Sequence, residues 1–276
     1  MRFTKSVLTL FCLISVFAAG CSKVEEPVSA EKADTESRYG GRLVLSTSSD
    51  PKSFNIILAK ETSTTGIVNF IFEGLTTTNG VTAEVEPSLA KSWRCEPDGL
   101  TWIFSLRDDV QWFDGVPFSA DDVVFTFEKL VFNRDIPNSM SDIFTIEGKQ
   151  LKVEKVDAHT VKVILPTKFA PFLRGMSTPI LPKHLLEKAV DEGKFNSVWG
   201  VDTPPAQIIG TGPFMLKEYV PGQKAVLTRN PHYWKKDKEG RPLPYLDEIV
   251  FLIVQNQDVS YLKFQEGEID FYDMRG

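Results

Sequence analysis

Few side chains in this sequence are arranged to run a reaction. The chain has three histidines, His159, His184 and His232. None stands in a metal-binding spacing such as H-E-x-x-H, and no C-x-x-C pair is present. His159 lies in a polar turn, His184 at a helix start, and His232 follows Asn230-Pro231 beside Tyr233-Trp234. Each reads as a surface or hydrogen-bonded imidazole. There is no G-x-S-x-G elbow to expose a nucleophile. Gly210-Thr211-Gly212 has the glycines of a phosphate loop but not its G-K-[ST] ending. Pro213 also removes a donor where a helix N-terminus would have to supply one. Asp121 and Asp122 form an adjacent carboxylate pair, which helix capping after Ser119 explains better than acid–base work. Five Trp and twenty Phe raise the idea of a stacking surface for sugars or bases. Trp102 sits in an alternating run and Trp112 just before the turn Asp114-Gly115, so both are expected in the core. A hydrolase therefore has neither a nucleophile nor a metal constellation behind it, and the chain reads as a non-enzyme with no cofactor.

Composition and the first residues bound the setting. The formal charge of -6 over 276 residues argues against nucleic acid as the partner, because phosphate binding needs a basic surface. Arg2 and Lys5 precede an apolar run from Val7 to Ala19, the form of a secretory signal peptide over 1–20. Ala18-Ala19-Gly20-Cys21 then has the form of a bacterial lipoprotein site, with Cys21 as the acylated residue anchoring the chain to a membrane. Residues 21–41 are nearly devoid of large apolar side chains and read as a flexible tether. With Cys12 in the signal and Cys21 acylated, only Cys95 remains. No internal disulfide is then possible, and Cys95 is expected as a small buried hydrophobe.

The elements that must position any binding residues follow from periodicity. Strands are expected over 41–46, 101–106, 151–156, 160–165, 214–219, 224–228 and 248–254, the middle four as two hairpins. A helix is expected over 65–74, ended by Gly74, and another after the N-cap Ser119, with Val123, Val124, Phe127 and Leu130 on its apolar face. Pro87 to Trp93 is expected to make a helical turn leading into a strand. Further helices are expected over 182–192 and 257–266. Gly267 ends the second of these before a last strand over 268–272. Strands and helices mix without regular alternation, which places the class as α/β or α+β with mixed sheets.

The ordered set of segments resembles one family. Phe72-Glu73-Gly74-Leu75 comes first, then Pro87-Ser88-Leu89-Ala90-Lys91-Ser92-Trp93 and Thr101-Trp102-Ile103-Phe104-Ser105-Leu106-Arg107. Val110-Gln111-Trp112-Phe113-Asp114-Gly115-Val116-Pro117-Phe118-Ser119-Ala120-Asp121-Asp122-Val123 follows, then Gly210-Thr211-Gly212-Pro213-Phe214. The series closes with Arg229-Asn230-Pro231-His232-Tyr233-Trp234 and Gln265-Glu266-Gly267-Glu268-Ile269-Asp270. Together they are similar to the large peptide- and nickel-type solute-binding proteins of bacterial ABC importers, over residues 42–276.

That resemblance implies an α/β, mixed-sheet, two-lobed periplasmic-binding-protein fold of the large type II kind. Residues 42–62 and 180–276 would form the core of lobe I, and 63–179 a satellite subdomain inserted in it. The family's chain continues well past the position of Gly276, so lobe II is expected to be absent. An exposed sheet edge and weak ligand capture would follow. The resemblance implies a monomeric substrate-binding lipoprotein at the periplasm or cell surface. It would take oligopeptides or dipeptides to ABC permease subunits, with nickel chelates, opines and sugars as other ligand classes in the family. The alternative is a truncated surface lipoprotein with a scaffold or adhesion role and no ligand capture. By the same resemblance, Ser48, Ser49 and Asp50 line the cleft. Gly267, Glu268, Ile269 and Asp270 form the hinge, and Tyr272 and Asp273 follow it toward ligand. Asp50 could equally be a turn residue before Pro51, and Tyr272 a core residue.

Overall fold

The computed structural model describes residues 38–272. Cys21, the expected signal and tether up to residue 37, and Asp273 lie outside the described residues.

Two four-stranded sheets carry the architecture. The first is built from β1 (Arg42–Thr47), β6 (Phe214–Val220), β7 (Lys224–Arg229) and β8 (Glu248–Ile253) in the order β1-β8-β7-β6. β1 runs parallel to β8, with Arg42 opposite Glu248 and Thr47 opposite Ile253. The other neighbours are antiparallel, so the sheet is mixed. Ile249, Val250 and Phe251 are consecutive and all buried. A strand covered on both faces reads as a continuous apolar run. The second sheet is wholly antiparallel. It consists of β2 (Ala90–Cys95), β3 (Thr101–Leu106), β4 (Lys152–Asp157) and β5 (Thr160–Ile164) in the order β2-β3-β5-β4.

Each sheet has its own core. Phe54, Ile67, Ile71, Phe72, Phe214, Leu227, Ile249 and Phe251 pack in the first. Phe104, Leu106, Trp112, Phe118, Val123, Phe127, Val161 and Val163 pack in the second. Helix α1 (Thr62–Val68) joins the first core through Ile67 and Val68. The chain leaves the first core after Phe72, meets it again through Phe125, Leu130 and Ile136, and returns to it at Leu181. Helix α2 (Ala120–Phe125) begins with a full capping box. The Ser119 and Asp122 side chains each satisfy the other's end of the turn, and the helix continues as a wider π-helical stretch over Thr126–Val131. Asp122 also accepts Lys183 N at 2.9 Å, which ties α2 to the start of α3 (Lys183–Asp191).

Several expectations are corrected. The helix expected over 65–74 stops at Val68, because the carbonyls of Phe70 and Ile71 serve Phe214 N and Gly212 N instead. The helical turn expected from Pro87 is instead a bend at Ser88 and Leu89, where Leu75 O takes the amides of both Ser88 and Ala90, and the strand expected after it is β2. Tertiary pairing outweighs the local propensity there. Residues 268–272 form no strand. Asp270 ties them to β1: its N donates to Val44 O at 2.9 Å and its Oδ2 accepts Val44 N at 2.7 Å. Cys95 is exposed, not buried, because it ends the edge strand β2. Trp112 is in the core at 2 % exposure. Trp102 is half-buried against Phe172, ring centres 5.3 Å apart.

The two sheets meet at a joint built from the quoted segments. Glu73 accepts the Tyr233 hydroxyl at 2.8 Å and Trp234 Nε1 at 3.1 Å. Burial pushes its carboxyl above the usual range, against the pull of those two donors. Arg107, from the second sheet, lies 4.1 Å over the Trp234 ring. Asn230 donates to Gly212 O at 3.0 Å. A Cβ on Gly210 would fall 2.0 Å from Ile71 O, and one on Gly212 2.5 Å from Phe70 O. Only glycine lets these backbones approach. The glycine pair that has the look of a phosphate loop is therefore a close-packing device.

Candidate functional site

In open sheets with parallel strands, ligands collect at the strands' carboxyl ends. β1 and β8 are the parallel pair here, and both end at one cavity of about 310 Å³. Leu45, Ser46 and Thr47 come to it from β1 and Ser48 from just beyond it, and Phe251 and Val254 from β8 and beyond. Thr62, Ser63 and Gly66 come from α1. Gln257 and Ser260 come from helix α4 (Gln257–Gln265), and Phe271 and Tyr272 follow that helix. The side chains lining the cavity are neutral. Hydroxyls and one carboxamide supply donors and acceptors, and Leu45, Val254 and two Phe supply apolar surface. Such a lining can pair with an uncharged polar ligand such as a peptide backbone.

Local folding holds these residues in place. The Ser46 and Ser260 hydroxyls meet at 2.8 Å, joining β1 to α4. Asn256 caps α4, its side chain accepting Asp258 N and Val259 N. Gly267 follows the helix with φ of 76°, the left-handed turn that favours glycine. The loop after β1 is pinned at its far end. Phe54 N donates to Trp199 O at 2.7 Å, and the Ser53 hydroxyl reaches the same carbonyl at 3.0 Å.

The structure brings Ser48 and Tyr272 together from opposite ends of the described chain, and both line the cavity. Ser49 and Asp50 do not line it. Asp50 Oδ1 accepts the Tyr219 hydroxyl at 2.6 Å and Gly222 N at 2.8 Å, and its carbonyl accepts Ser63 Oγ at 3.2 Å. Its carboxylate thus fastens the β6–β7 turn to the loop after β1. Burial and the neighbouring Asp50 carboxylate raise the Tyr219 hydroxyl's pKa. Of residues 267–270, Ile269 is buried at 1 % exposure against Val44, Val226 and Val250, and Asp270 is tied to Val44. Glu268 pairs with Lys263. Tyr272 stacks between Tyr261 and Phe264, with ring centres 5.4 and 6.1 Å away.

Sequence reasoning missed Thr62, Ser63, Gln257 and Ser260 in the lining. Each is a neutral polar residue in the first turn of a helix, and a helix-start role accounts for it just as well. None of the three histidines lines the cavity, and against expectation the imidazole Nδ1 of His159 is buried without a hydrogen-bond partner. His184 Nε2 meets Asp114 at 2.7 Å, and His232 N donates to the Asn230 side chain.

A family model for bacterial extracellular solute-binding proteins, family 5 Middle, matches residues 84–275. A probable ABC transporter-binding protein of Deinococcus radiodurans is 34% identical over 202 residues, covering 70% of this chain and 34% of its own length. The oligopeptide-binding protein AppA of Bacillus subtilis is 29% identical over 276 residues, 97% of this chain and 47% of its own. The solved structure of the periplasmic binding protein MelB of Agrobacterium fabrum C58, in complex with stachyose, overlays with a TM-score of 0.74 at 26% identity. It covers 86% of this chain and 38% of that one. The chain therefore spans less than half the length of each of these relatives, and the fold it shares with them is that of a periplasmic binding protein.

Proposed function

The chain belongs to the bacterial extracellular solute-binding proteins of family 5, and we propose that it is the peptide-capturing part of an ABC-type importer. It takes up oligopeptides or dipeptides outside the cytoplasmic membrane and presents them to permease subunits. It is a monomer and not an enzyme. Cys21 carries the lipid anchor that holds it at the membrane, in the periplasm or at the cell surface.

The observation that carries this reading is the neutral, hydroxyl-lined cavity at the carboxyl ends of β1 and β8. An extended peptide laid there pairs its backbone with strand-like main chain, and its side chains go unread. Ser48 and Tyr272 contact it directly. Ser49 and Asp50 shape the loop that frames it, and Asp273, next in sequence after Tyr272, is proposed as a further contact. Residues 42–62 and 180–276 form lobe I and 63–179 its satellite. Gly267 to Asp270 are the hinge, pivoting where Ile269 and Asp270 are held to β1. A second lobe closing over the cavity would expel water and raise affinity.

Calorimetric titration of the full chain with a panel of tri- to nonapeptides, with stachyose as the competing ligand class, tests the proposal. Peptide binding that is weakened in Ser48→Ala and Tyr272→Ala supports it. Binding of stachyose and no peptide moves the substrate class to oligosaccharides, which hydroxyl-lined cavities also suit. Silence toward both leaves the scaffold lipoprotein as the better reading.

A further inference from the structure

Beside the joint lies a pocket whose charge runs against that of the chain. The formal charge of the sequence is -6. Yet this pocket, of about 410 Å³, is lined by Arg107, Lys235 and Lys236 against a single carboxylate, Asp109, with Pro87 and Trp234 completing the wall. Arg107 and Asp109 follow β3, and the two lysines follow Trp234. A concavity lined by one sign of charge focuses its field and draws counter-ions in.

The cations are held before any ligand arrives. The Arg107 guanidinium lies 4.1 Å over the Trp234 ring. Asp109 accepts its Nε at 2.8 Å and its Nη2 at 2.6 Å. Nη1 is left with no hydrogen-bond partner among the described residues. A guanidinium fixed in this way loses little freedom when it binds. The main chain beneath the lysines is paired as well: Lys235 O accepts Leu243 N at 3.0 Å, and Lys236 bridges to Pro242. The joint accounts for Arg107 but not for the lysines. Neither Lys235 nor Lys236 forms an ion pair among the described residues, whereas Lys217, Lys224 and Lys263 all do. Like charges gathered in one pocket repel, and a bound anion relieves that repulsion.

We propose that this pocket binds a small doubly charged anion, a phosphate monoester or a dicarboxylate, through Arg107 Nη1 and the ammonium groups of Lys235 and Lys236. Three cations against one carboxylate match a dianion. The pocket shares no residue with the cavity at β1 and β8, and the proposal does not rest on the peptide reading of that cavity.

The test is a nitrogen-15 NMR titration of the full chain carrying Cys21→Ser, at constant ionic strength and about pH 8, where a phosphate monoester is doubly ionised. The probes are phenyl phosphate and succinate, with acetate as the singly charged control. Saturable shifts are expected at the amides of Arg107, Lys235 and Lys236 with at least one dianion, at concentrations where acetate gives none. Phenyl phosphate alone identifies a phosphoryl ligand, and succinate alone a dicarboxylate. Lys235→Gln with Lys236→Gln should weaken binding roughly tenfold or more, as loss of charged hydrogen bonds does. Lys149→Gln with Lys152→Gln removes the same charge from outside the pocket and should leave binding unchanged. Lys236→Gln alone, at an exposed position, should still weaken binding severalfold, which keeps the test open if the first pair does not fold. Equal losses in the two double variants overturn the proposal, because bulk charge would then explain the binding. So do shifts as large with acetate, or no saturable shift with either dianion.

Discussion

The joint between the two sheets and the carboxyl edge of the first sheet are built in opposite ways. At the joint, backbones touch where only glycine fits, a carboxylate is held by two aromatic donors, and a guanidinium lies on an indole. At the edge, small hydroxyl side chains line open space and large apolar ones face outward. The segments that make the chain recognisable gather largely at the joint. What is readable in the sequence is therefore the architecture that holds two cores together. The surface that would meet a ligand is made of residues any loop uses.

This contrast predicts how substitutions divide. Gly210→Ala should have the largest effect. Its Cβ would meet main chain rather than a movable side chain, so the overpacking cost should reach about 3 kcal/mol or more. Urea unfolding measures it, and a loss under about 1 kcal/mol would mean that the joint gives way easily. Asp50→Asn comes next. It weakens acceptance from the Tyr219 hydroxyl and Gly222 N and should cost about 1–3 kcal/mol. If stability instead holds while peptide affinity falls, Asp50 belongs to the edge and not to the framework.

The same division explains what was legible in the sequence. The β4–β5 and β6–β7 hairpins and β8 follow from alternation or a continuous apolar run, and Ser119 with Asp122 announces α2. Two segments were misread where a partner far along the chain takes the backbone. Leu75 O takes the Ser88 and Ala90 amides at a bend where a helical turn is expected, and Phe214 with Gly212 cuts the first helix short. Local pattern carries no trace of such long-range bonds. Cys95 was misplaced for a related reason: a residue type says small and apolar, but only sheet order makes β2 an edge. At the site, Ser48 and Tyr272 could be named only through the resemblance. Nothing in their own neighbourhoods brings the two ends of the chain together.

Glu73 gives a subtler probe of the joint. Its pKa in the folded chain is raised by burial above the ordinary value of 4.5. Its contribution to stability is then full below that value and is lost as pH rises through the folded pKa. Glu73→Gln cannot ionise, so the stability difference should move toward the variant between pH 4.5 and pH 8. Urea midpoints at the two pH values measure the shift. A difference independent of pH would show that the carboxyl is ionised as readily in the fold as in the unfolded chain.

The edge should respond least in stability. Ser46→Ala and Ser260→Ala together remove both partners of one hydroxyl pair. No donor is then left stranded, and the net change should stay within about 0.5 kcal/mol. If the cavity is where peptide sits, the double variant should nonetheless bind more weakly, because two neutral donors are gone from its lining. Calorimetry beside urea unfolding separates the two quantities. A pair of hydroxyls that matters to affinity and not to stability belongs to a surface kept for a ligand. A pair that matters to stability alone is a rivet between β1 and α4, and the ligand surface would then have to be sought further along the edge, toward Ser48 and Tyr272.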